Sequence, residues 1–327
     1  DSEVFCGVGG MHRVASGLLE AVVTEHGGRV VVKTAERVSG VEPAAGRKGW
    51  ELKGTTGTAA LHTTREEEAC KVQAQALSEI VYDAVLVTDA SASFAGWHRA
   101  SAGLPESAHE MLDQVRSRVR VPLFTCFVTF EHALEEPRLD GIAFQDDKLW
   151  FAARSASKPG FDTSGPFECW TLVSTPAYAC SEIERVPMQD PKTGAFLPQE
   201  PSYLLGDDGP CQALLHAFGK HVAKPLPKVL HMDGQRWGSA FPAPASVGGR
   251  DRCGHSEQTT VTIMNVRYDR EAARCPLRSF PQAEEAGFGI DFLASDELGL
   301  FYAGDFASPR PPGVEAAALS GRHAAEH

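Results

Sequence analysis

The chain has 327 residues, 43% of them hydrophobic, and a formal net charge of −12 at pH 7. That length suits one large domain or two smaller ones with a sizeable core. The acidic residues are spread along the chain rather than gathered in a tail, which argues against nucleic acid or an anionic membrane surface as the main partner. The longest uncharged apolar run, Val121 to Phe130, is far too short to span a bilayer.

From Met11 to His26 the apolar positions Met11, Val14, Leu18 and Val22 follow helical spacing, and His26-Gly27-Gly28 is a helix stop. The β-branched run Arg29 to Thr34 predicts a strand that Glu36 to Glu42 continues, and Gly49 to Gly54 predicts another. Thr63 to Ile80 reads as an exposed helix, with Glu66 to Glu68 as a solvated start favoured by the helix dipole. Tyr82 to Ala90 is the clearest buried strand, a compact apolar run ending at polar residues. A helix is predicted over Leu104 to Val119. Four strands follow, in "PLFTCFVTFE", "GIAFQD", "LWFAAR" and "ECWTLVST", with short turns between them. This pattern predicts an antiparallel sheet of the kind that walls a cavity. Pro187 to Pro201 reads as a loop, Cys211 to Val222 as a helix, and Lys228 to Pro244 as a strand followed by a turn. Ser246 to Gln258 is glycine-rich and polar, a loop by composition, and Thr259 to Asp269 is a further strand. The tail from Leu298 is strand, loop, helix.

Two stretches could hold a ligand. The first is Gly7, Gly9 and Gly10 before the opening helix. A dinucleotide fingerprint needs a strand, G-x-G-x-x-G, a helix and an acid about 20 residues on. Here His12 takes the third glycine's place, Glu36 comes late, and the preceding strand is barely present, which favours a glycine-lubricated helix entry. The second is Gly304-Asp305 directly after a strand, followed by Gly313-Val314-Glu315 at a helix start. Backbone N–H groups at a helix N-terminus suit an anionic or electron-rich edge, and an Asp at a strand end can accept hydrogen bonds from ribityl hydroxyls. A turn with a small-residue helix packed on a sheet explains the same residues equally well.

The tail "LFYAGDFASPRPPGVEAAALSG" resembles the closing flavin motif of the FAD-dependent amine oxidase superfamily: strand, Gly-Asp, short loop, then a Val-Glu-x-Ala-x-x-Ser-Gly helix. The resemblance implies FAD as cofactor, with Asp305 at its ribityl-phosphate part and Val314 and the helix N-terminus at the pyrimidine edge. Gly9-Gly10-Met11 resembles the same families' Gly-Gly-Met helix entry, and Val38 falls where a valine backbone contacts the adenine end. Three middle segments resemble the renalase-like branch: Leu149 to Phe161, Glu168 to Ile183, and Gln235 to Pro244, in which Arg236 and Trp237 match an Arg-Trp turn while Gln235 replaces a His. Extra segments lie near residues 54–80, 186–208 and 245–285. Asp89-Ala90-Ser91 stands where relatives often carry Ala-x-Pro.

These features together predict an α/β fold with an α+β substrate part. A partial Rossmann-like FAD-binding domain would comprise residues 1–90 and 286–327, with a mixed or antiparallel-sheet substrate domain over residues 91–285. The families' G-x-G-x-x-G segment lies upstream of Gly-Gly-Met, and this chain begins almost at Gly-Gly-Met, at Asp1 rather than a Met. Asp1 therefore reads as a processing site or the start of a fragment. The cofactor-binding set is Gly10, Met11, Val38, Gly304, Asp305, Gly313, Val314 and Glu315, and Arg236 and Trp237 are cavity residues. No acid or base is nominated.

The activity implied is oxidation of a small amine or reduced nicotinamide-type substrate by hydride transfer to the flavin. The alternative is a non-catalytic, flavoprotein-derived subunit of a larger assembly, suggested by the missing fingerprint and the polar insertions. His12, His216, His221, His231 and His255 with Cys211 and Cys253 show no metal-ligand spacing, and there is no G-x-S-x-G elbow. Trp150, Trp170 and Trp237 read as core aromatics before flavin stackers. Eight cysteines without a CxxC, and no signal peptide, point to free thiols in a reducing intracellular compartment.

Overall fold

A computed structural model describes residues 7–56, 75–77, 79–93, 103–116, 118, 120–135, 140–161, 164–194, 196–222, 225–242, 260–263, 266–269, 291–310 and 312–327. Of the expected helix over Thr63 to Ile80, residues 63–74 and 78 lie outside these residues and Gln75–Ala76 forms a strand instead, because it pairs with Lys53 and Gly54, and the expected loop over Ser246 to Gln258 lies wholly outside them. The chain mixes helices with several sheets and divides into two compact units. One comprises Asp1–Thr34, Leu123–Ala179 and Gln199–Trp237, and the other Ala35–Pro122, Cys180–Pro198 and Gly238–His327.

The first unit is built on a five-stranded sheet of order β6-β7-β8-β5-β9. Its strands are β5 (Arg120–Phe130), β6 (Gly141–Ala143), β7 (Leu149–Arg154), β8 (Glu168–Ser174) and β9 (Val229–Pro242). β6, β7, β8 and β5 pair antiparallel in sequence, as the alternating apolar pattern predicts. Phe124, Cys126, Val128 and Phe130 of β5 point to one buried face. Register puts Cys126 opposite Leu172 and Val128 opposite Trp170. That face is covered by α5 (Pro210–His221), which follows α3 (Pro176–Arg185) and α4 (Pro201–Leu205); its Leu214, Ala217 and Phe218 are buried, with the Phe218 ring 5.2 Å from that of Trp170. Proline at its first position costs the helix nothing, because the missing N–H would have no intrahelical partner there.

Several polar groups at the edge of this core are hydrogen-bonded to defined partners, although Arg154 Nε is buried without one among the described residues. Glu168 is buried, and its Oε2 accepts from Trp170 Nε1 at 2.8 Å and from the Leu134 N–H at 3.0 Å. Phe124 N–H donates to Ser174 Oγ at 2.8 Å. Burial opposes ionisation of Asp146, but the N–H groups of Leu149 and Lys148 and the His221 ring outweigh it and bring the carboxyl down to about 2.

The opening helix α1 (His12–His26) has its expected limits and stops at Gly27, whose φ of 55° is left-handed. Its apolar face is uncovered: none of its residues is buried, and Leu18 is 62% exposed.

The second unit contains an antiparallel sheet of β1 (Glu36–Pro43), β2 (Trp50–Thr56) and β3 (Gln75–Ala76). A second sheet has the order β12-β13-β4, with β4 Val85–Val87, β12 Phe292–Ser295 and β13 Leu300–Ala303. β12 and β13 form a hairpin, and β13 pairs with β4 in parallel. The helix α2 (His109–Arg116) buries Met111, Leu112 and Val115 in a core shared with Val41, Trp50, Val87, Leu300, Tyr302 and Phe306. Trp50 ties the two sheets together. Its backbone exchanges hydrogen bonds with Tyr82, and its indole Nε1 donates to Leu298 O at 2.8 Å in the turn before β13.

Five sequence expectations change. Arg29 to Thr34 holds no strand: β-branched residues favour extension, but a strand exists only with a backbone partner, and none of the described strands pairs with this segment. Of Tyr82 to Ala90 only Val85–Val87 forms a strand, at the sheet edge, while Tyr82 makes a single antiparallel bridge to Trp50, and Leu86 is 47% exposed. The Gln235 to Pro242 turn is instead part of β9, because pairing overrides the glycine and proline cues. Gly234 is retained there for space, since a Cβ would strike Cys211 Sγ. Thr259 to Asp269 forms two strands, β10 (Thr260–Ile263) and β11 (Val266–Asp269), in a hairpin. The expected long helix before β5 begins only at Glu106 as one 3₁₀ turn and ends at Arg116.

Two outcomes are expected. Because α1 buries nothing, Leu18→Glu leaves the urea midpoint of the chain within about 0.5 kcal/mol of wild type, and a larger loss shows that the face is covered in solution. The folded-state carboxyl of Asp146 lies below its unfolded value, so its stabilisation is complete above about pH 4 and is lost as pH falls toward 2. Asp146→Asn therefore removes about 2 kcal/mol at pH 7 and flattens the acid limb of a pH–stability curve.

Candidate functional site

The end of β13 and the last helix, α6 (Val314–Glu326), form the most developed polar site among the described residues. β13 runs in parallel beside β4, with Tyr302 opposite Val87, so the carboxyl ends of both strands open on the same side. Gly304 follows at a φ of 142°, where a side chain would be strained. Its N–H donates to the Ser320 hydroxyl at 2.9 Å, and Ser320 is fully buried. Its carbonyl accepts from Ala307 N–H at 3.0 Å and Ser308 N–H at 3.3 Å, closing the turn that holds Asp305. The small side chains of Ala316 and Ser320 let α6 lie close against this turn.

Gly313 caps α6 at a φ of 147°, again a glycine conformation, and no side chain caps the first turn. Val314 is 63% exposed and Glu315 is exposed, so the N–H groups of the first turn are open to a ligand. Glu315 sits among them and offsets part of the positive dipole end, which suits a neutral, electron-rich edge better than a phosphate.

Burial pushes the Asp305 carboxyl up, against the Phe306 N–H and the Arg118 charge, which pull it down. Arg118, from the segment after α2, is buried. Burial lowers its guanidinium to about 10 while Asp305 and Tyr302 act to raise it. Tyr302 is also buried, and burial together with Asp305 and Asp89 raises its phenol.

Gly304, Asp305, Gly313, Val314 and Glu315 all lie in the second unit, where the Gly304–Ser320 hydrogen bond joins the turn to α6. Val38 belongs to the same unit, in β1, beside a bulge at Ser39 whose carbonyl accepts from Gly103 N–H at 2.9 Å. Next to it, Nη2 of Arg37 is buried without a hydrogen-bond partner among the described residues. Gly10 and Met11 lie in the first unit. Gly10 has a φ of 118°, Gly9 N–H donates to Pro159 O at 2.8 Å, and the Met11 sulfur accepts from Gly7 N–H at 3.4 Å.

Arg236 and Trp237 are neighbours on β9 and face opposite sides of it. Arg236 is buried, with its N–H donating to Gln199 Oε1 at 2.7 Å, whereas Trp237 is 48% exposed and donates through Nε1 to Thr125 Oγ1 at 3.0 Å. They cannot line one face of that strand together.

Arg118 and Tyr302 escaped the sequence reading. Tyr302 was visible only as one strand aromatic among several, and nothing in "QVRSRVRV" distinguishes Arg118 from its neighbouring arginines.

Among the described residues no three His, Cys, Asp or Glu side chains gather as a metal site, and no helix is long and apolar enough to cross a membrane. Cys126, Cys169, Cys180 and Cys211 are free, and the other four cysteines lie outside the described residues.

Removing the Ser320 hydroxyl leaves the Gly304 N–H unsatisfied in a buried turn. Ser320→Ala is therefore expected to cost about 1–2 kcal/mol in urea unfolding, and an unchanged midpoint shows that the hydrogen bond does not hold the turn.

No protein-family model matches the sequence, and no curated protein matches it. Among solved structures, the chain is similar to a protein assigned as a protoporphyrinogen oxidase from Exiguobacterium sp. 255-15, at 12% identity and a TM-score of 0.42. It is similar also to cyclohexylamine oxidase from Brevibacterium oxydans IH-35A, at 10% identity and a TM-score of 0.44. The alignments cover 97% of this chain but 51% and 52% of those chains, so it spans about half their length.

Proposed function

We propose that the chain is part of an FAD-dependent oxidoreductase of the amine oxidase, renalase-like type. The observation that supports this reading best is the strand–turn–helix arrangement, in which a half-buried carboxylate lies in the turn after a parallel strand pair and that turn is hydrogen-bonded to a helix with no side-chain cap at its N-terminus. The sequence resemblance of the tail supplies the identity of the ligand.

The residues present fit such a group. Asp305 is an acceptor for ribityl hydroxyls, and the backbone N–H groups of Val314 and Glu315 are donors for the pyrimidine edge. Gly304 and Gly313 adopt conformations that only glycine tolerates well and bring the backbone close. Val38 in β1 would meet the adenine end through its backbone, and Gly10 and Met11 would supply the helix entry of the Gly-Gly-Met segment. Bound FAD would supply a hydride acceptor for a small amine or reduced nicotinamide-type substrate.

In this reading residues 1–90 and 286–327 serve cofactor binding, and residues 91–285 provide the substrate part. Arg236 is proposed as its cavity cation, and Trp237, on the other face of β9, as a separate contact. A reducing intracellular compartment is proposed as the setting.

The test is titration of the purified chain with FAD, followed by flavin absorbance and calorimetry. A saturable shift of the flavin bands is expected. Asp305→Asn, which replaces a charged acceptor with a neutral one, is expected to weaken binding by about tenfold or more. Absence of any saturable change by the wild-type chain overturns the reading in favour of a non-catalytic, flavoprotein-derived subunit.

A further inference from the structure

Asp291, immediately before β12, is a buried carboxylate outside the cofactor-binding set, 4% exposed. Its Oδ2 accepts from Arg310 Nε at 3.3 Å, and its Oδ1 accepts from His323 Nδ1. Burial opposes ionisation, but the hydrogen bonds from His323 and Arg310 outweigh it and hold the carboxyl below its ordinary value.

The two partners come from either side of the exposed start of α6. Arg310 lies in the loop between the Gly304 turn and Gly313, where its N–H donates to the Oγ of the fully buried Ser308 at 3.3 Å. His323 lies in the last turn of α6. One carboxylate therefore grips both the loop that leads into the helix and the far end of the helix itself. The first turn has no side-chain cap, and Gly313 before it carries no side chain, so the direction of that turn is set by what holds the loop and the helix.

The same contacts fix the state of the histidine. A guanidinium only donates, so His323 Nε2, 3.2 Å from Arg322 Nη2, is the acceptor of that bond. An ionised carboxylate only accepts, so Nδ1 carries the proton. The ring is thus the neutral Nδ1–H tautomer, and Arg322 also stands 3.5 Å from Glu326 Oε1. The Arg310 guanidinium balances the charge of Asp291, and the imidazole gives the second bond its direction.

We propose that Asp291 is a positioning residue for the open first turn of α6, acting through Arg310 on the incoming loop and through the Nδ1–H of His323 on the helix end. The N–H groups of Val314 and Glu315 meet a flat ligand edge only when loop and helix are both fixed. That the edge belongs to a flavin rests on the flavoprotein reading, whereas the clasp stands on its own contacts.

The experiment uses the full chain, followed by NMR of the imidazole nitrogens, by amide hydrogen exchange and by titration with FAD. The His323 signals, identified by their loss in His323→Asn, are expected to show a protonated Nδ1 and an unprotonated Nε2. The Ala317 N–H, which donates to Gly313 O at 3.0 Å, reports on the first turn. Asp291→Asn and Arg310→Met are each expected to speed its exchange by about tenfold, the worth of a hydrogen bond to a charged group, and to weaken FAD binding by a similar factor. Amides of β1, in the same unit, keep their rates. Arg310→Lys and His323→Asn, whose amide donates from the Nδ1 position, retain most of both properties, and His323→Leu does not. The Arg310 side chain is 47% exposed, so Arg310→Met keeps the test decisive if Asp291→Asn does not fold.

Ala317 exchange unchanged in Asp291→Asn and Arg310→Met, with FAD bound by wild type, overturns the inference and leaves the flavoprotein reading standing. Exchange accelerated equally in β1 and α6 makes the pair a general stabiliser and overturns the positioning role, as does a His323 ring protonated at Nε2 alone. Local acceleration at Ala317 without FAD binding by wild type overturns the flavoprotein reading and supports the inference.

Discussion

The hydrogen bond from the Gly304 N–H to the Ser320 hydroxyl is the constraint on which the candidate site depends. A helix can approach a strand end closely only where its side chains are small and its own backbone needs are met. α6 satisfies this with Ala316 and Ser320, and Ser320 also answers a backbone donor that the turn after β13 would otherwise bury unpaired. Gly304 makes the turn possible by taking a left-handed conformation, and its carbonyl closes the turn on Ala307 and Ser308. Asp305 is thereby held at the edge of a core rather than on a mobile loop.

That placement puts two electrostatic effects in opposition. Burial penalises the Asp305 carboxylate and the Arg118 guanidinium separately, and their mutual attraction returns part of what each loses. Arg118 follows α2, whose Met111, Leu112 and Val115 share a core with Tyr302 and Phe306 on either side of the Gly304-Asp305 turn. The first unit handles its charges differently. Glu168 accepts from an indole and a backbone N–H with the Arg154 guanidinium 3.6 Å away, and Asp146 accepts from backbone N–H groups and a histidine, so directed hydrogen bonds supplement the nearby cations.

Much of the fold was legible locally. The helical spacing of Met11, Val14, Leu18 and Val22 predicted α1, and alternation along Arg120 to Phe130 and Glu168 to Ser174 predicted neighbouring strands of one sheet. The Gly-Asp and Gly-Val-Glu signals placed the turn and the helix start correctly. The misses share one cause. Val30 to Val32 favour extension, but no strand among the described residues pairs with them, while Gln235 to Pro242 contain turn residues yet are held in β9 by pairing. A strand is a property of two backbones, and one sequence window contains only one of them.

Periodicity, turn chemistry and composition, which act over a few residues, are determined by the sequence itself: the α/β character, the helix limits at Gly27 and Gly313, and the candidacy of Asp305. Tertiary structure alone decided what stands near Asp305. Arg118 is 187 residues away along the chain, and α2, β4 and β13 bring the two together by burying a shared apolar core. It also separated Arg236 from Trp237, since the pleat of a strand sends adjacent side chains to opposite faces once that strand is paired.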